Sequence, residues 1–561
     1  MKAEELAASS AVPDSRGLNL FRADPGFTSL LGLYLPQQLK AHLEPHLDRL
    51  GALAGSELDE LASTADRNPP QLHHRTRGGE ERQWIEKHPA YRRLEEIAFG
   101  EFGLAAMSHR GGVLGWEQPL PPAAKYALTY LYVQAEFGVC CPLSMTDSLA
   151  RTLSRFGDPE LVARYLPGLT QQDLDVLDQG AMFITEQGAG SDVGASATRA
   201  VRDGDGWRLY GEKWFCSNAD AGLALVLARP DGAQAGTRGL SLFLLPRMLA
   251  DGTPNSYRII RLKDKLGTRG MPSGEIRLEG ALAHLVGDPQ RGFAQMAGMI
   301  NLSRLSNGMR AAGMMRRALT ESLFISRNRV AFGKRLIEMP LMQRQLLKLM
   351  LPTEAARSVL FFASAALQKA DSGDDDARRR VRLLTPLLKF RACRDARRVT
   401  GDAMEVRGGS GYIEEWSDAR RVRDAHLGSI WEGTSNIVAL DALRAIRKEK
   451  ALDVLLPVLK STPIYPLLVC AAEFAAGADD AHARQAATGL YYAVAASILW
   501  QEGEQLARTG DARRLLLSAL LRKHRLEPRD PFEVSDCACS ESLLTEQGIS
   551  PQEAKKLQES M

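Results

Sequence analysis

Residues 428–441 read GSIWEGTSNIVALD, and the one carboxylate near the start of that run, Glu432, stands between a tryptophan and a glycine. Hydroxyl and amide side chains follow at once. Such an acid is either an incidental loop glutamate or a base kept away from water, since poor hydration disfavours the carboxylate and strengthens it as a base. A second stretch, MFITEQGAGSDVGASATRA (182–200), gathers Thr185, Glu186, glycines, Ser191 and Asp192. Its exposed N–H groups and hydroxyls suit a phosphate or the polar rim of a flat heteroaromatic ring; a glycine-rich linker is the plain alternative. In GEKWFCSNADAG (211–222), strand alternation sends Trp214 and Phe215 to opposite faces, one ring free to pack on a ligand and the other entering a core. Ser217 and Asn218 follow as polar handles. SRNRVAFGKRL (326–336) sets Arg329 three residues before Phe332-Gly333, a guanidinium beside an aromatic that suits a diphosphate and its neighbouring ring, or else a surface helix end. AMEVRGGSGYIEE (403–415) adds a tight turn at Gly408, Gly409 and Gly411.

Other chemistries lack their residues. The chain carries no GxxxxGK[ST] loop, no HExxH and no GxSxG elbow. His42 and His46 are four apart, but Pro45 lies between them, which argues for surface residues over a helical metal pair. The seven cysteines include adjacent Cys140 and Cys141 and near-neighbours Cys537 and Cys539, without a CxxC pair. An odd count at these spacings argues against a disulfide framework and against structural zinc, and fits a reducing cytoplasm.

The elements that must position these residues fall into blocks. At 561 residues the chain exceeds one simple core and implies two to four domains. Its formal net charge of +3 gives no overall pull toward nucleic acid or membrane. No apolar run reaches the roughly 18 residues of a membrane span, and the opening MKAEELAASSAVPDSRG reads as a frayed tail without a targeting signal. Residues 30–180 read as mostly helical, with helices over 91–107 and 121–138, another opened by Asp158-Pro159, and a polar loop over 66–81. From about 182, runs at 206–215, 223–228, 239–246, 257–262 and 274–280 read as strands of a small barrel or sandwich. Helix returns over 291–445, with Met296, Met299, Met309, Met314 and Met315 as core filler and 371–380 as a solvated interhelix loop. Beyond 446 a helical segment ends in a polar, mobile tail. Residues 451–561 hold eleven Lys/Arg against fifteen Asp/Glu, a net of −4, so this is no basic arm.

These stretches, in this order, resemble the acyl-CoA dehydrogenase family of flavoproteins. Thr185 to Asp192 matches its T-E-P-x-A-G-S-D loop, Gly211 to Asn218 its G-x-K-x-x-I-[ST]-N strand, and Arg329 to Gly333 its R-x-x-F-G element. Glu405 to Tyr412 matches Q-x-x-G-G-x-G-[FY], and Arg423-Asp424 with Trp431 to Thr434 matches R-D followed by [WY]-E-G-T. Within the family the chain is most similar to the AidB-like, adaptive alkylation-response branch, through Asn68-Pro69-Pro70-x-Leu72, CPLSMT (141–146), LKDKLG (262–267) and PLM (340–342). It departs from the mainstream at Gln187, where proline is usual, and at Pro340 and Glu405, where glutamines are usual.

The resemblance implies an α+β multidomain fold: an N-terminal helical domain (1–181), a middle β-barrel or sandwich (182–290), a C-terminal four-helix bundle (291–445) and a helical extension (446–561). It implies FAD as cofactor and α,β-desaturation of an acyl-CoA, with Glu432 removing the α-proton while the β-hydride leaves for flavin N5. The enolate-like charge would be met by backbone N–H donors. Flavin contacts would come from Phe183, Thr185, Gly190, Ser191, Phe215 and Ser217, and from Glu405, Gly408, Gly409, Thr434 and Asn436. Arg329 and Phe332 would reach the flavin from a neighbouring subunit, which implies a homotetramer or dimer of dimers. Ser191, Arg304, Glu432 and Gly433 would meet the substrate. The implied setting is cytoplasmic fatty acid metabolism, with an electron-transfer flavoprotein as electron acceptor. The alternative is an AidB-like flavin- and acyl-CoA-binding stress-response protein of low turnover. DNA association belongs to that alternative and is not favoured, because the basic run Arg378, Arg379, Arg380, Arg382, Lys389, Arg391, Arg394, Arg397 and Arg398 reads as a bundle face or a CoA-phosphate neighbourhood and the C-terminal segment is acidic. A flavin oxidase or nitroalkane-type enzyme is a third reading on the same scaffold.

Overall fold

The computed structural model describes residues 12–204, 206–528, 530, 532 and 539–560; the first eleven residues and Cys537 lie outside them. Helices open the chain: α1 (Pro25–Tyr34), α2 (Gln37–Ala54) and α3 (Glu57–Arg67). A hairpin follows, β1 (Gln71–Arg75) with β2 (Glu81–Glu86), where the sequence reads as a polar loop. Its registration is side-chain work: His73 and Trp84 face each other in one cross-strand pair, and their rings stack 4.6 Å apart.

The helix expected over 91–107 is shorter, α4 (Pro89–Glu95) running into a π-helical turn at Glu96–Glu101 and then into turns. Likewise α5 (Pro122–Tyr132) stops six residues before the end of its apolar pattern. α6 (Cys140–Phe156) and α7 (Pro159–Leu169) follow, and Asp158 caps α7 by accepting from Leu161 N–H at 2.8 Å.

The strands are β3 (Gly180–Phe183), β4 (Arg199–Asp203), β5 (Gly206–Ser217), β6 (Leu223–Pro230), β7 (Ser241–Pro246), β8 (Tyr257–Leu262) and β9 (Ser273–Leu285). All five expected runs are strands; β3 and β4 are too short and too mixed in polarity to announce themselves. Beyond lie α8 (Gly292–Asn328), the small hairpin β10 (Val330–Ala331) and β11 (Lys334–Arg335), α9 (Pro340–Asp371), α10 (Asp375–Arg407), α11 (Asp418–Gly428) and α12 (Ser435–Glu449). The expected loop at 371–380 shrinks to three residues. Asp374 caps α10 through Ala377 N–H at 2.8 Å, and Asp375 and Asp376 then favour the helix N-terminus. The chain ends in α13 (Leu452–Leu455), α14 (Tyr465–Gly477), α15 (Ala483–Ala507), α16 (Arg513–Arg525), α17 (Ser540–Leu544) and α18 (Pro551–Glu559).

The chain forms two compact units, one of residues up to 59, 122–135 and 307 onward, the other of 60–121 and 136–306. In the second, β6, β4, β5, β9 and β7 pair in turn and β7 pairs back to β6, closing a ring to which β3 and β8 add at the sides. Inward residues such as Phe183, Leu209, Val226, Phe243, Ile259 and Ile276 fill it, and Leu72 and Ile85 of the hairpin pack against them. The Gln83 side chain ties the hairpin to β8, donating to Ile259 O at 2.8 Å and accepting from Ile259 N–H at 2.9 Å.

In the first unit, α9 and α10 pack side by side, α11 and α12 cover α10, and α15 with α16 lengthens the bundle. Met309, Met314 and Met315 are buried there. The unit also buries charge. Arg357 binds Asp24 at 2.5 Å and Glu354 at 2.6 Å, Arg514 binds Glu502 at 2.7 Å and Glu354 at 3.2 Å, and Arg316 binds Glu546 at 2.6 Å. The expected mobile tail is therefore anchored, because Glu546 is the counter-charge of a buried arginine. Where the described residues begin the chain is held as well: Ser15 is buried and donates to Glu321 at 2.6 Å. Among the described residues no helix is long and apolar enough to cross a membrane.

Candidate active site

Glu432 lies on the turn between α11 and α12 with φ of 55°, followed by Gly433 at 100°. A side chain in this left-handed conformation costs on the order of 1 kcal/mol and persists where its surroundings dictate it. Lys389, buried on α10, does so: its Nζ donates to the carbonyls on either side of Glu432, Trp431 O at 2.8 Å and Gly433 O at 2.5 Å. The Glu432 side chain is 6% exposed. Its Oε2 accepts from Asn307 Nδ2 at 2.8 Å, and its Oε1 stands 4.0 Å from Nη2 of Arg310. The Arg310 guanidinium is itself buried and lies 4.8 Å from the centre of the Trp431 ring.

The expected apolar setting is thus corrected. Trp431 and Gly433 do flank the acid, but an amide donor and a guanidinium face its carboxylate. The reason is helical spacing on α8, where Asn307 and Arg310 are three residues apart and share a face. The Cys393 thiol is buried one turn beyond Lys389, and burial pushes it up to about 11, Glu432 adding to the effect and Lys389 and Arg310 opposing it. It is a neutral thiol, not a nucleophile.

In the other unit, the loop after β3 is held by Glu186. Its carboxylate accepts from Lys213 Nζ at 2.7 Å, Thr198 Oγ1 at 2.6 Å, Ala197 N–H at 2.7 Å and Ser196 Oγ. Burial alone would raise this carboxyl; Lys213, Ser196 and Thr198 overcome it and hold it down to about 2. Glu186 is therefore an anchor that leaves Gly188, Gly190 and Ser191 at the surface. Trp214 N–H donates to Thr185 O at 2.8 Å, which brings the loop beside Phe215.

Trp214 and Phe215 do not divide between ligand and core. A bulge between Lys213 and Cys216 inserts an extra residue against β9, so Lys213 and Cys216 take the inward places and both rings stay outside. Phe215 is 57% exposed, and Lys263 Nζ sits 3.3 Å from the centre of the Trp214 ring and 4.9 Å from that of Phe215.

Sequence profiles of known families match the chain in order up to residue 446: the AidB N-terminal domain at residues 11–176, the acyl-CoA dehydrogenase middle domain at 181–281 and its C-terminal domain at 290–446. Acyl-CoA dehydrogenase family member 11 of Caenorhabditis elegans is 33% identical over 76% of this chain and 70% of its own length. The chain belongs to the acyl-CoA dehydrogenase family. Within the family, AidB of Escherichia coli K12 is 35% identical over 72% of this chain and 73% of its own length. The crystal structure of C. elegans ACDH-11 in complex with C11-CoA superposes with a TM-score of 0.82 at 28% identity, over 93% of each chain. The family's layout of helical N-terminal part, β middle domain and helical C-terminal part is the fold described above.

Against that family, the remaining expected residues fall as follows. Phe183 is fully buried and its ring belongs to the barrel core. Thr185 and Ser217 are half-buried, while Gly190, Ser191 and Phe215 are exposed along one edge of the barrel. In the first unit, Arg329 Nη1 donates to Arg407 O at 3.2 Å, bringing the base of the β10–β11 hairpin to the turn with Glu405, Gly408 and Gly409, all three exposed. Phe332 forms the hairpin tip, 98% exposed. Thr434 and Asn436 are exposed at the start of α12, and Arg304 is half-buried on α8. Nothing stands within 4 Å of where a Cβ would be at Gly188, Gly190, Gly408 or Gly409. The open Gly188 and Gly190, on a loop tied by Thr185 to the strand that carries the exposed Phe215 ring, fit a flat, phosphate-bearing cofactor such as FAD.

Asn307, Arg310 and the buried role of Lys389 escape the sequence reading. A signal existed: Arg304, Asn307 and Arg310 recur every third residue within 302–315, a stretch otherwise of small and apolar residues. Among the described residues no cluster of His, Cys, Asp and Glu could hold a metal ion.

Proposed function

We propose that this protein is an FAD-dependent acyl-CoA dehydrogenase that desaturates an acyl-CoA thioester, with Glu432 as the base that takes the α-proton. The observation that carries this reading is the Glu432 turn: a side chain 6% exposed, oriented by Asn307 and stapled on both sides by Lys389. A carboxylate fixed in this way loses little entropy on approaching a substrate proton. The backbone N–H of Glu432 would meet the charge that develops on the thioester oxygen. Bound FAD would supply the acceptor for the β-hydride. Thr185, Gly190, Ser191, Phe215 and Ser217 would hold it, with Glu405, Gly408, Gly409, Thr434 and Asn436, and with Arg329 and Phe332 of a neighbouring copy in a homotetramer or dimer of dimers. Arg304, Ser191 and Gly433 would contact acyl-CoA, an electron-transfer flavoprotein would take the electrons, and the setting would be cytoplasmic fatty acid metabolism. The ACDH-11 complex with C11-CoA supports an acyl-CoA ligand.

One observation favours a second reading, a protein that binds flavin and acyl-CoA but turns over slowly. Asn307 Nδ2 already holds one carboxylate oxygen at 2.8 Å and Arg310 stands 4.0 Å from the other, so the carboxylate must give up existing contacts to approach a substrate proton. Anaerobic titration with saturated acyl-CoAs of graded chain length separates the two. Rapid bleaching of flavin absorbance by one chain length, abolished in Glu432→Gln while binding persists, is expected of the dehydrogenase. Spectral perturbation without bleaching at any length gives the second reading the lead, and undiminished bleaching in Glu432→Gln removes Glu432 as base.

A further inference from the structure

Most of the basic run on α10 is neutralised within the fold. Arg378 pairs with Asp375, Arg379 with Asp376 and Asp453, Arg380 with Asp374, Arg382 with Asp441 and Glu449, and Arg398 with Asp402. One part of the helix differs. Where α10 meets α15 and α16, a cleft of about 380 Å³ is lined by Phe390, Arg391 and Arg394 of α10, by Arg484, Gln485, Thr488 and Gly489 of α15, and by Arg525 of α16. The spacing explains the convergence: 390, 391 and 394 share one face of α10, and 484, 485, 488 and 489 one face of α15.

Among the described residues, Arg391 alone of the four arginines pairs with an acid, Asp395, whose oxygens it binds at 2.5 and 3.0 Å while Tyr492 donates to the same carboxylate at 3.0 Å. Arg391 and Arg525 lie on the Tyr492 ring, 5.5 and 5.3 Å from its centre. Arg394, Arg484 and Arg525 make no ion pair among the described residues, and the Nε of Arg525 is buried without a hydrogen-bond partner. Burial and the neighbouring charges of Arg484, Arg391 and Arg397 hold the Arg394 guanidinium below its ordinary value. At Gly489 nothing stands within 4 Å of where a Cβ would be, so the helix leaves the floor of the cleft open.

We propose that this cleft between α10, α15 and α16 is a binding site for a compact multivalent oxyanion of the phosphate or pyrophosphate type, held by Arg394, Arg484 and Arg525. Guanidinium groups match phosphate oxygens in pairs, and three cations without an ion pair among the described residues, set around one cavity, suit a di- or trivalent anion. A polyanion such as duplex DNA needs a continuous track of free charge, and the ion pairs along the rest of α10 remove it. Arg394 Nη1 also donates to Ser435 Oγ at 3.5 Å, so the cleft adjoins the start of α12, but the proposal does not depend on the dehydrogenase reading.

The test is calorimetric titration of the full-length, flavin-loaded protein with inorganic phosphate and with pyrophosphate in a phosphate-free buffer. Two variants accompany it. Arg484→Glu reverses one exposed cation, and Gly489→Leu fills the floor without changing charge or helix-forming ability for the worse. Saturable pyrophosphate binding that weakens about tenfold or more in both variants, with flavin content unchanged, is expected. Absence of saturable binding overturns the proposal. So does binding that Gly489→Leu leaves intact, or a short DNA duplex that binds where pyrophosphate does not, because diffuse surface charge then explains the cluster.

Discussion

At the level of single residues, the Trp-Glu-Gly turn shows how a loop acquires one conformation. Glu432 and Gly433 both take positive φ, and what holds them is the buried Lys389 bridging the carbonyls on either side. In Lys389→Met two charged hydrogen bonds vanish and two carbonyls lose their donor, a loss of roughly 2–4 kcal/mol in folding free energy. Flavin bleaching by acyl-CoA should fall more steeply than acyl-CoA affinity, because the turn remains but its carboxylate no longer has a fixed aim. Denaturant unfolding with stopped-flow bleaching checks both, and unchanged bleaching in a stable variant would show that the staple does not serve the base. The acid itself was legible from its tryptophan and glycine neighbours. Its true surroundings were not, because Asn307 and Arg310 reach it from 125 and 122 positions away in sequence, and Lys389 looked like one more cation in a basic run.

At the level of elements, the barrel turns on one buried ion pair. Lys213 points inward by the alternation that runs from Leu209, Glu186 meets it at 2.7 Å, and the bulge at Trp214-Phe215 then turns Cys216 inward in place of Phe215. The strands themselves were readable from their apolar runs, whereas a bulge leaves no mark in composition and reverses the facing of every residue beyond it. Glu186→Gln strands the Lys213 ammonium in the interior and should destabilise the protein by roughly 3–5 kcal/mol. The pH dependence has a definite sign. Glu186 and Glu321 are held down to about 2 in the folded chain, against an ordinary 4.5. The stability they contribute is therefore complete above about pH 5 and is lost as pH falls toward 2. Thermal melts between pH 6 and 3 should show a steeper fall for the wild type than for Glu186→Gln, and parallel curves would dismiss the pair as a source of stability.

At the level of the whole molecule, the C-terminal helices are part of the fold's electrostatics. Arg514 of α16 donates to Ser358 and Glu502 at 2.7 Å and to Glu354 at 3.2 Å, so Arg514→Met leaves two buried carboxylates short of a partner. A loss of roughly 3–5 kcal/mol is expected in denaturant melts, and a neutral variant would mean that the neighbouring arginines suffice. The same scale bears on assembly. Phe332 is 98% exposed at a hairpin tip, with φ of 52° there and 74° at Gly333. An isolated chain gains nothing from an aromatic ring in water, and the conformation is one that glycine takes more readily. Phe332→Gly should therefore leave the hairpin at least as stable while removing the ring. If the ring meets flavin on a neighbouring copy, the variant should lose flavin on gel filtration and shift toward smaller species despite an unchanged or higher melting temperature of the apoprotein. If the variant stays fully flavinated and elutes with the wild type, the exposed ring has no part in the assembly and the flavin site must be completed by other residues.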